Sequence, residues 1–449
     1  ITGVEEAALA YFLAQESVTS SICFIGQNMA QIEQLAREIP IFSPKKKVVI
    51  LPAWDVQPYD RLAPAAYVQA QRAQAVKQLQ AGLGDIVLTT VAGAGTRVFP
   101  HAPQQVHIQR GIMYPPAQLA ADLINLGLTR TETVTEPGEF AQRGAIFDVF
   151  PPLTSHPYRL DYFDNEIESL KIFDPLTQRS IEAVKDITLS SAGEIHLNAA
   201  RIQYFREKYR HLFPNGTEDM VYTQVSNQML PPLALHYLPL FEAEALPSVF
   251  DILPKNTQII AAANFKQACA DWLETLTDAY TMRLKLLAQG EDEEPYRPLD
   301  PKELYLIEDN WKTYQAQYLW QYLHTFSEHE NMPTANLLGH TFGSTVEERA
   351  KVAVEEIMAA KQQKKKVYIC APATGTLNQL QHILSQIDAP ESLLNHVQLE
   401  ENALAFGFEH ETALYITDQD ILGTRQSTNR APTTKRKDAH AIANLNDLQ

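Results

Sequence analysis

Apolar and polar positions along the first hundred residues follow two rhythms. Short continuous apolar runs, SICFIG (21–26), KVVILP (47–52) and DIVLTTV (85–91), alternate with stretches of helical spacing, Met29–Arg37 and Gln69–Leu79. Strands apolar on both faces, separated by amphipathic helices, predict a parallel sheet covered on each side. From residue 107 the rhythm changes to a period of two. AIFDVFPP (145–152), YRLDYFD (158–164) and EIESLKIFD (166–174) alternate apolar with polar, and PPLTSHP (151–157) and DPLTQRS (174–180) separate them as turns. That pattern predicts an antiparallel sheet with one face available for contact. The helical stretch Pro116–Leu126 is expected to cover the other face.

Residues 194–330 read as mostly helical, as in Ala199–His211 and Phe265–Ala288, with one strand-like run at TQIIAAA (257–263). QGEDEEPYRPLDP (289–301) reads as an exposed loop. A second, smaller α/β pattern follows: a helix over Thr345–Gln363, a strand at KVYICAP (366–372), a helix over Leu377–Ile387 and a last strand in TALYITDQDIL (412–422). Residues 424–449 place Arg425, Arg430, Lys435, Arg436 and Lys437 among small polar residues, the composition of a flexible basic linker.

Composition narrows the function classes. A chain of 449 residues is too long for one core and predicts several domains. No apolar stretch reaches the roughly 18 residues needed to span a bilayer. The acidic start ITGVEEAALAYFLAQE lacks the basic region of a signal peptide. Cys23, Cys269 and Cys370 lie too far apart for a CxxC or zinc spacing and read as reduced thiols of a cytoplasmic protein. A net charge of -17 favours protein partners over a broad grip on nucleic acid. GxxxxGK[ST] does not occur, so no intact phosphate loop is present. VAGAGTRV (91–98) is not GxGxxG and predicts a tight turn, and EHE at 328–330 and at 409–411 lacks the HExxH spacing of a zinc site. KQQKKK (361–366) closes a helix, where lysines complement the macrodipole.

The blocks GEFAQRGAIFDVFPP (138–152) and YRLDYFDNEIESLKIFDPLTQRS (158–180) resemble the domain through which the excision-repair protein UvrB and the transcription-repair coupling factors (the Mfd family) contact UvrA. LPAWDVQPYDRLAP (51–64) resembles the coupling-factor version of the first domain, because Tyr59–Tyr67 runs directly into a helix with no room for UvrB's DNA-inserting hairpin. The chain is thus similar to the N-terminal, UvrB-like region of that family. The resemblance implies an α/β fold in which a degenerate P-loop-NTPase-like domain (1–106 and 194–330) is split around an inserted α+β UvrA-binding domain (107–193). A small α/β domain (335–423) and the linker (424–449) follow. The abrupt start at Ile1, where a first strand should already have ended, predicts a trimmed N-terminus, and the resemblance also implies RNA-polymerase-binding and motor domains C-terminal to this chain that take ATP, magnesium and duplex DNA.

The nucleotide site that the resemblance implies is erased in two places. A phosphate loop needs glycines, a lysine and a hydroxyl. At the matching run from Thr2 and Gly3, Glu6 stands for the lysine and Ala7 for the hydroxyl. The acidic pair that would hold magnesium falls at Ala261 and Ala262. No cofactor is therefore expected for this chain, and no catalytic residue.

Arg143, Arg159 and Phe163 match the positions by which the family is thought to engage UvrA, with Glu166 as a further candidate. Arg159 and Phe163, four apart in a strand, share a face, and two arginines beside an exposed aromatic suit a protein contact. The alternative is surface arginines paired with Glu139 or Asp161, a core Phe163, and a Glu166 that merely solvates its strand. Asp148 and Asp161 are expected to point the other way. The sequence leaves two rival functions: a UvrB-type ATPase that verifies DNA damage, and a nucleic-acid-binding module acting through the lysine run and the basic linker.

Overall fold

The computed structural model describes residues 2–101, 103–290, 295–324, 334–339, 343–387 and 396–423, and of 2–3 and 334–339 only the backbone. The basic stretch 424–449 and the EHE at 328–330 lie outside the described residues. The chain divides into two compact units, 1–4 with 9–335 and 5–8 with 336–449.

The first unit opens with a short strand, β1 (Thr2–Val4), followed by β2 (Ile22–Gly26), β3 (Val48–Leu51) and β4 (Ile86–Thr90). Every residue of β2 and of β4 is buried, as their continuous apolar runs require. The helix Met29–Phe42 starts where the Asn28 side chain accepts from the Gln31 amide, which satisfies one of the orphan donors of its first turn. VAGAG (91–95) is a one-turn helix and not the expected tight turn. Thr90 caps it by accepting from the Gly93 amide at 3.2 Å. Its glycines permit close approach: a Cβ on Gly93 would meet the Leu51 carbonyl oxygen at 3.0 Å, and one on Gly95 the Trp272 Nε1 at 2.8 Å.

The chain then leaves this sheet for a second one. β5 (Gln105–Gln109) pairs antiparallel with β12 (Asp186–Ser190). Between them, β6 (Thr129–Arg130), β7 (Glu139–Arg143), β8 (Ile146–Val149), β9 (Tyr158–Phe163), β10 (Glu166–Phe173) and β11 (Ser180–Ala183) form a sheet in the order β11-β10-β9-β8-β7-β6. Its pairs are antiparallel except β6 with β7. One face carries Phe140, Phe147, Val149, Leu160, Tyr162, Ile167 and Leu170, all packed with Leu119 and Leu123 of the helix Pro116–Asn125. Each such side chain, fully buried, stabilises the fold by roughly 1.5–3 kcal/mol.

Returning to the first sheet, β13 (Gln258–Ala261) and β14 (Trp320–Tyr322) complete the order β14-β13-β2-β4-β3, parallel throughout. β1 is not one of its strands. The long helix Phe265–Gln289 contributes Phe265 to the core of this sheet, beside Trp311, Ile259 and Ala261.

The second unit orders β15 (Thr334–Gly339), β18 (Phe408–Glu409), β19 (Ala413–Thr417), β16 (Lys366–Ala371) and β17 (Val397–Glu401) side by side in that order. β19, β16 and β17 run parallel, while β18 is antiparallel to β19. The helix Val346–Gln362, opened by a Thr345/Glu348 capping box, packs Ala353, Val354 and Ile357 against Val367, Ile369 and Leu414. The molecule is therefore α/β with parallel, antiparallel and mixed sheets. No helix among the described residues is long and apolar enough to cross a membrane.

Candidate protein-docking face of the antiparallel sheet

Two hairpin turns lie at the same end of the antiparallel sheet. Arg143 ends β7, and Gly144 turns the chain at φ +61° into β8. Phe163 ends β9, and Asp164 turns it at φ +58° into β10. The Tyr162 amide donates to the Ala145 carbonyl at 2.8 Å, which ties the two turns together. The register pairs Arg143 with Ile146, Ile146 with Asp161, Asp148 with Arg159 and Phe163 with Glu166. Directly paired residues share a face, so all seven stand on the face opposite the helix Pro116–Asn125.

At the centre is Asp148, whose side chain is 1% exposed. Arg159 grips it with two bonds, Nε to Oδ1 at 2.6 Å and Nη2 to Oδ2 at 2.8 Å. Arg143 adds Nη2 to Oδ2 at 2.8 Å. The remaining donors of Arg159 turn inward: Nη1 gives to the Gln178 carbonyl at 3.0 Å and Nη2 also approaches Gln178 Oε1 at 3.4 Å. Its guanidinium lies 4.5 Å over the Phe173 ring. The hydrogen bonds to Asp148 raise the Arg159 pKa above its ordinary value. Val134, Ala141, Phe150 and Phe173 form a small apolar floor on this face. Beside the cluster, burial pushes the Asp161 carboxyl up, but bonds from Lys171 (2.8 Å) and Ser169 outweigh it and hold the pKa below the usual range.

The arrangement corrects the sequence reading in one respect. Asp148 and Asp161 do not point away from the arginines; both stand on the same face. Asp161 lies two residues from Arg159 in one strand, and Asp148 lies across from it in the next. The partner of both arginines is Asp148, and neither Glu139 nor Asp161. Glu139 instead accepts from the Thr135 and Glu136 amides. Phe163 is 74% exposed and is not core. Ile146 (37%) and Met113 (69%) are exposed too, and Met113 forms an isolated bridge with the exposed Glu166. The Arg143 side chain is 47% exposed against 14% for Arg159. Exposed apolar surface beside a guanidinium is the composition of a protein contact. The part played by Asp148, Gln178 and Phe173 escaped the sequence reading. The available signal was one carboxylate in the otherwise apolar run IFDVF.

The residues expected from the sequence to mark a degenerate nucleotide site are placed as follows. Thr2 and Gly3 belong to β1, and their side chains lie outside the described residues. Glu6 is exposed and Ala7 half-buried in a single 3-10 turn, Glu6–Ala8. Ala261 ends β13 and is fully buried, and Ala262 follows it at 4% exposure. The Ala262 amide donates to the Ile25 carbonyl at 3.0 Å, and the Ala261 carbonyl accepts from the Leu323 amide at 2.9 Å. Methyl groups at this end of the strand can neither ligate a cation nor orient a water. Among the described residues no group of three or more His, Cys, Asp or Glu side chains could hold a metal ion.

Residues 106–194 match the UvrB interaction domain family. Over 342 residues, 75% of this chain, the sequence is 30% identical to the transcription-repair-coupling factor of Escherichia coli (strain K12), of which it covers 28%. It is 30% identical over 270 residues to the protein of that name from Haemophilus influenzae, covering 58% of this chain and 23% of the relative. With that of Rickettsia bellii it shares 25% identity over 415 residues, 89% of this chain and 35% of the relative. The chain thus spans at most about a third of the length of these relatives.

Proposed function

From its kinship with the N-terminal region of the transcription-repair-coupling factors, we propose that this chain is a non-catalytic, UvrB-like recruitment module that binds UvrA. The observation that carries the reading is the Arg143–Asp148–Arg159 cluster beside exposed Phe163, within the stretch that matches the UvrB interaction domain. A guanidinium with free donors and an adjacent aromatic supply charge and apolar area together.

In this reading the five-stranded parallel sheet belongs to a degenerate P-loop-like domain that has lost its nucleotide, and the antiparallel sheet is the insertion that meets UvrA. The chain itself needs neither ATP nor magnesium. RNA polymerase and duplex DNA are partners of the longer protein, in which a motor elsewhere uses ATP, and the setting is cytoplasmic. The outcome is delivery of nucleotide excision repair to lesions that stall transcription. Titration of UvrA with the chain tests this: saturable binding that weakens in Arg143→Ala supports it, and absence of binding by the unmodified chain refutes it.

A further inference from the structure

The two arginines of the docking face are not equivalent, and the difference assigns them different work. Arg159 spends its hydrogen-bonding capacity inside the molecule, on both oxygens of Asp148 and on the carbonyl and side-chain oxygen of Gln178. Its planar face is occupied by Phe173. A guanidinium has five N–H donors in a fixed fork, so little of Arg159 is left to reach a partner. Arg143 gives one bond, to Asp148 Oδ2, and its side chain is about half exposed at the end of its strand.

Asp148 Oδ2 is the hinge of the arrangement, because it accepts from Arg143 and from Arg159 at once. The carboxylate sits almost wholly out of solvent between them, over the apolar floor of Val134, Ala141, Phe150 and Phe173. Gln178, itself at φ +59°, is fixed by bonds from its Nε2 to the Val134 and Pro175 carbonyls at 3.0 and 2.8 Å. A continuous chain of bonds thus runs from the Val134 carbonyl through Gln178, Arg159 and Asp148 to Arg143.

We propose that Asp148 is a positioning residue, that Arg159 acts through it, and that Arg143 alone of the two arginines touches the partner. Fixing the Arg143 fork before the encounter removes the ordering cost of a long, rotamer-rich side chain. The N–H groups of Arg143 that Asp148 does not take fit a carboxylate of the partner, set beside an apolar socket for Phe163. This inference rests on the UvrA reading above.

The test is a double-mutant cycle on the full chain, read as affinity for UvrA by calorimetry, with Arg143→Ala, Asp148→Asn, Arg159→Lys and the two pairings with Arg143→Ala. Asp148→Asn keeps the shape of the side chain, and Arg159→Lys keeps the charge but loses the fork. Each single variant is expected to weaken binding about tenfold or more. Asp148→Asn and Arg159→Lys are expected to add nothing once Arg143 is alanine. A thermal melt of each variant keeps loss of fold separate from loss of binding. Additive effects of Arg143→Ala and Arg159→Lys overturn the proposal, because they mean that Arg159 meets the partner itself. So does an unchanged affinity in Asp148→Asn while Arg143→Ala weakens binding, and in that case the UvrA reading survives. If Arg143→Ala leaves the affinity unchanged, the UvrA face is misplaced and the positioning role falls with it.

Discussion

Arg72 and Glu194 meet as an ion pair with side chains 0% and 1% exposed, Nε to Oε1 at 3.3 Å. Arg72 stands on the helix Ala66–Gln80, and Glu194 follows the last strand of the antiparallel region. Trp54 Nε1 also donates to Glu194 Oε1 at 2.7 Å, and Arg72 Nη1 donates to the Pro52 carbonyl at 2.6 Å. The Nε contact is close but poorly aligned as a hydrogen bond, since Arg72 Nε counts among the buried donors without a partner. Burial pushes the Glu194 carboxyl up and Arg72 opposes it. The pair clamps the point where the chain returns from the docking sheet to the parallel sheet.

Removing one member of this pair leaves an uncompensated charge in the interior. Glu194→Ala is expected to cost about 3–5 kcal/mol in chemical denaturation. Arg72→Met added to it should recover part of that loss, because the stranded guanidinium is then gone. A Glu194→Ala variant within about 0.5 kcal/mol of the parent would show that the pair clamps nothing.

Two buried histidines set a pH dependence. Burial pulls His236 down to about 4 from 6.5, with smaller effects of Asp60, which opposes it, and Arg283, which adds to it. Burial, aided by Arg201 and His101, pulls His196 down to about 4. Neither nitrogen of the His196 ring makes a hydrogen bond. A base whose folded pKa is depressed leaves the unfolded chain binding more protons between the two values. Stability is therefore fully present above about pH 6.5 and is lost as pH falls toward 4. Melting temperature against pH should fall across that window, and His236→Phe should flatten the curve. An equal slope in the variant would assign the acid sensitivity elsewhere.

Phe163 separates binding from folding. At 74% exposure its ring contributes little to the core. Phe163→Ala is expected to change stability by no more than about 0.5 kcal/mol, yet to weaken UvrA binding by roughly 1–4 kcal/mol if it is an interface anchor. Leu123→Ala, on the helix packed against the other face of that sheet, is the opposite control, with an expected loss of about 2–5 kcal/mol in stability. A Phe163→Ala chain that binds as well as the parent removes this ring from the interface.

If the nucleotide site is erased as proposed, ATP with magnesium leaves the melting temperature unchanged, since a ligand stabilises only the state that it binds. Restoring Glu6→Lys with Ala7→Thr should not create turnover, because Ala261 and Ala262 still offer no carboxylate. Turnover by the unmodified chain, lost on changing residues 2–7, would instead favour a working ATPase.

How much of this was legible in the sequence depends on the range of the interaction. The apolar runs announced β2, β3 and β4, and the period of two announced β8, β9 and β10, because both are properties of one strand at a time. Alternation also placed Arg159 and Phe163 on one face. It could not reveal that Asp148 lies across from Arg159, since the register between strands is set by the turns and the packing of the opposite face. The Arg72–Glu194 pair joins residues far apart in the chain, beyond any local pattern. VAGAG was misread because a glycine pair suggests a turn, whereas here the missing side chains admit the Leu51 carbonyl and the Trp272 ring against a helix.

The measurement that bears most directly on the central claim is the calorimetric affinity of this chain for UvrA at fixed salt, compared between the parent and Arg143→Ala. The account predicts saturable binding by the parent and a loss of about tenfold or more in the variant, with both chains melting alike. Equal affinity in the two folded chains would contradict it.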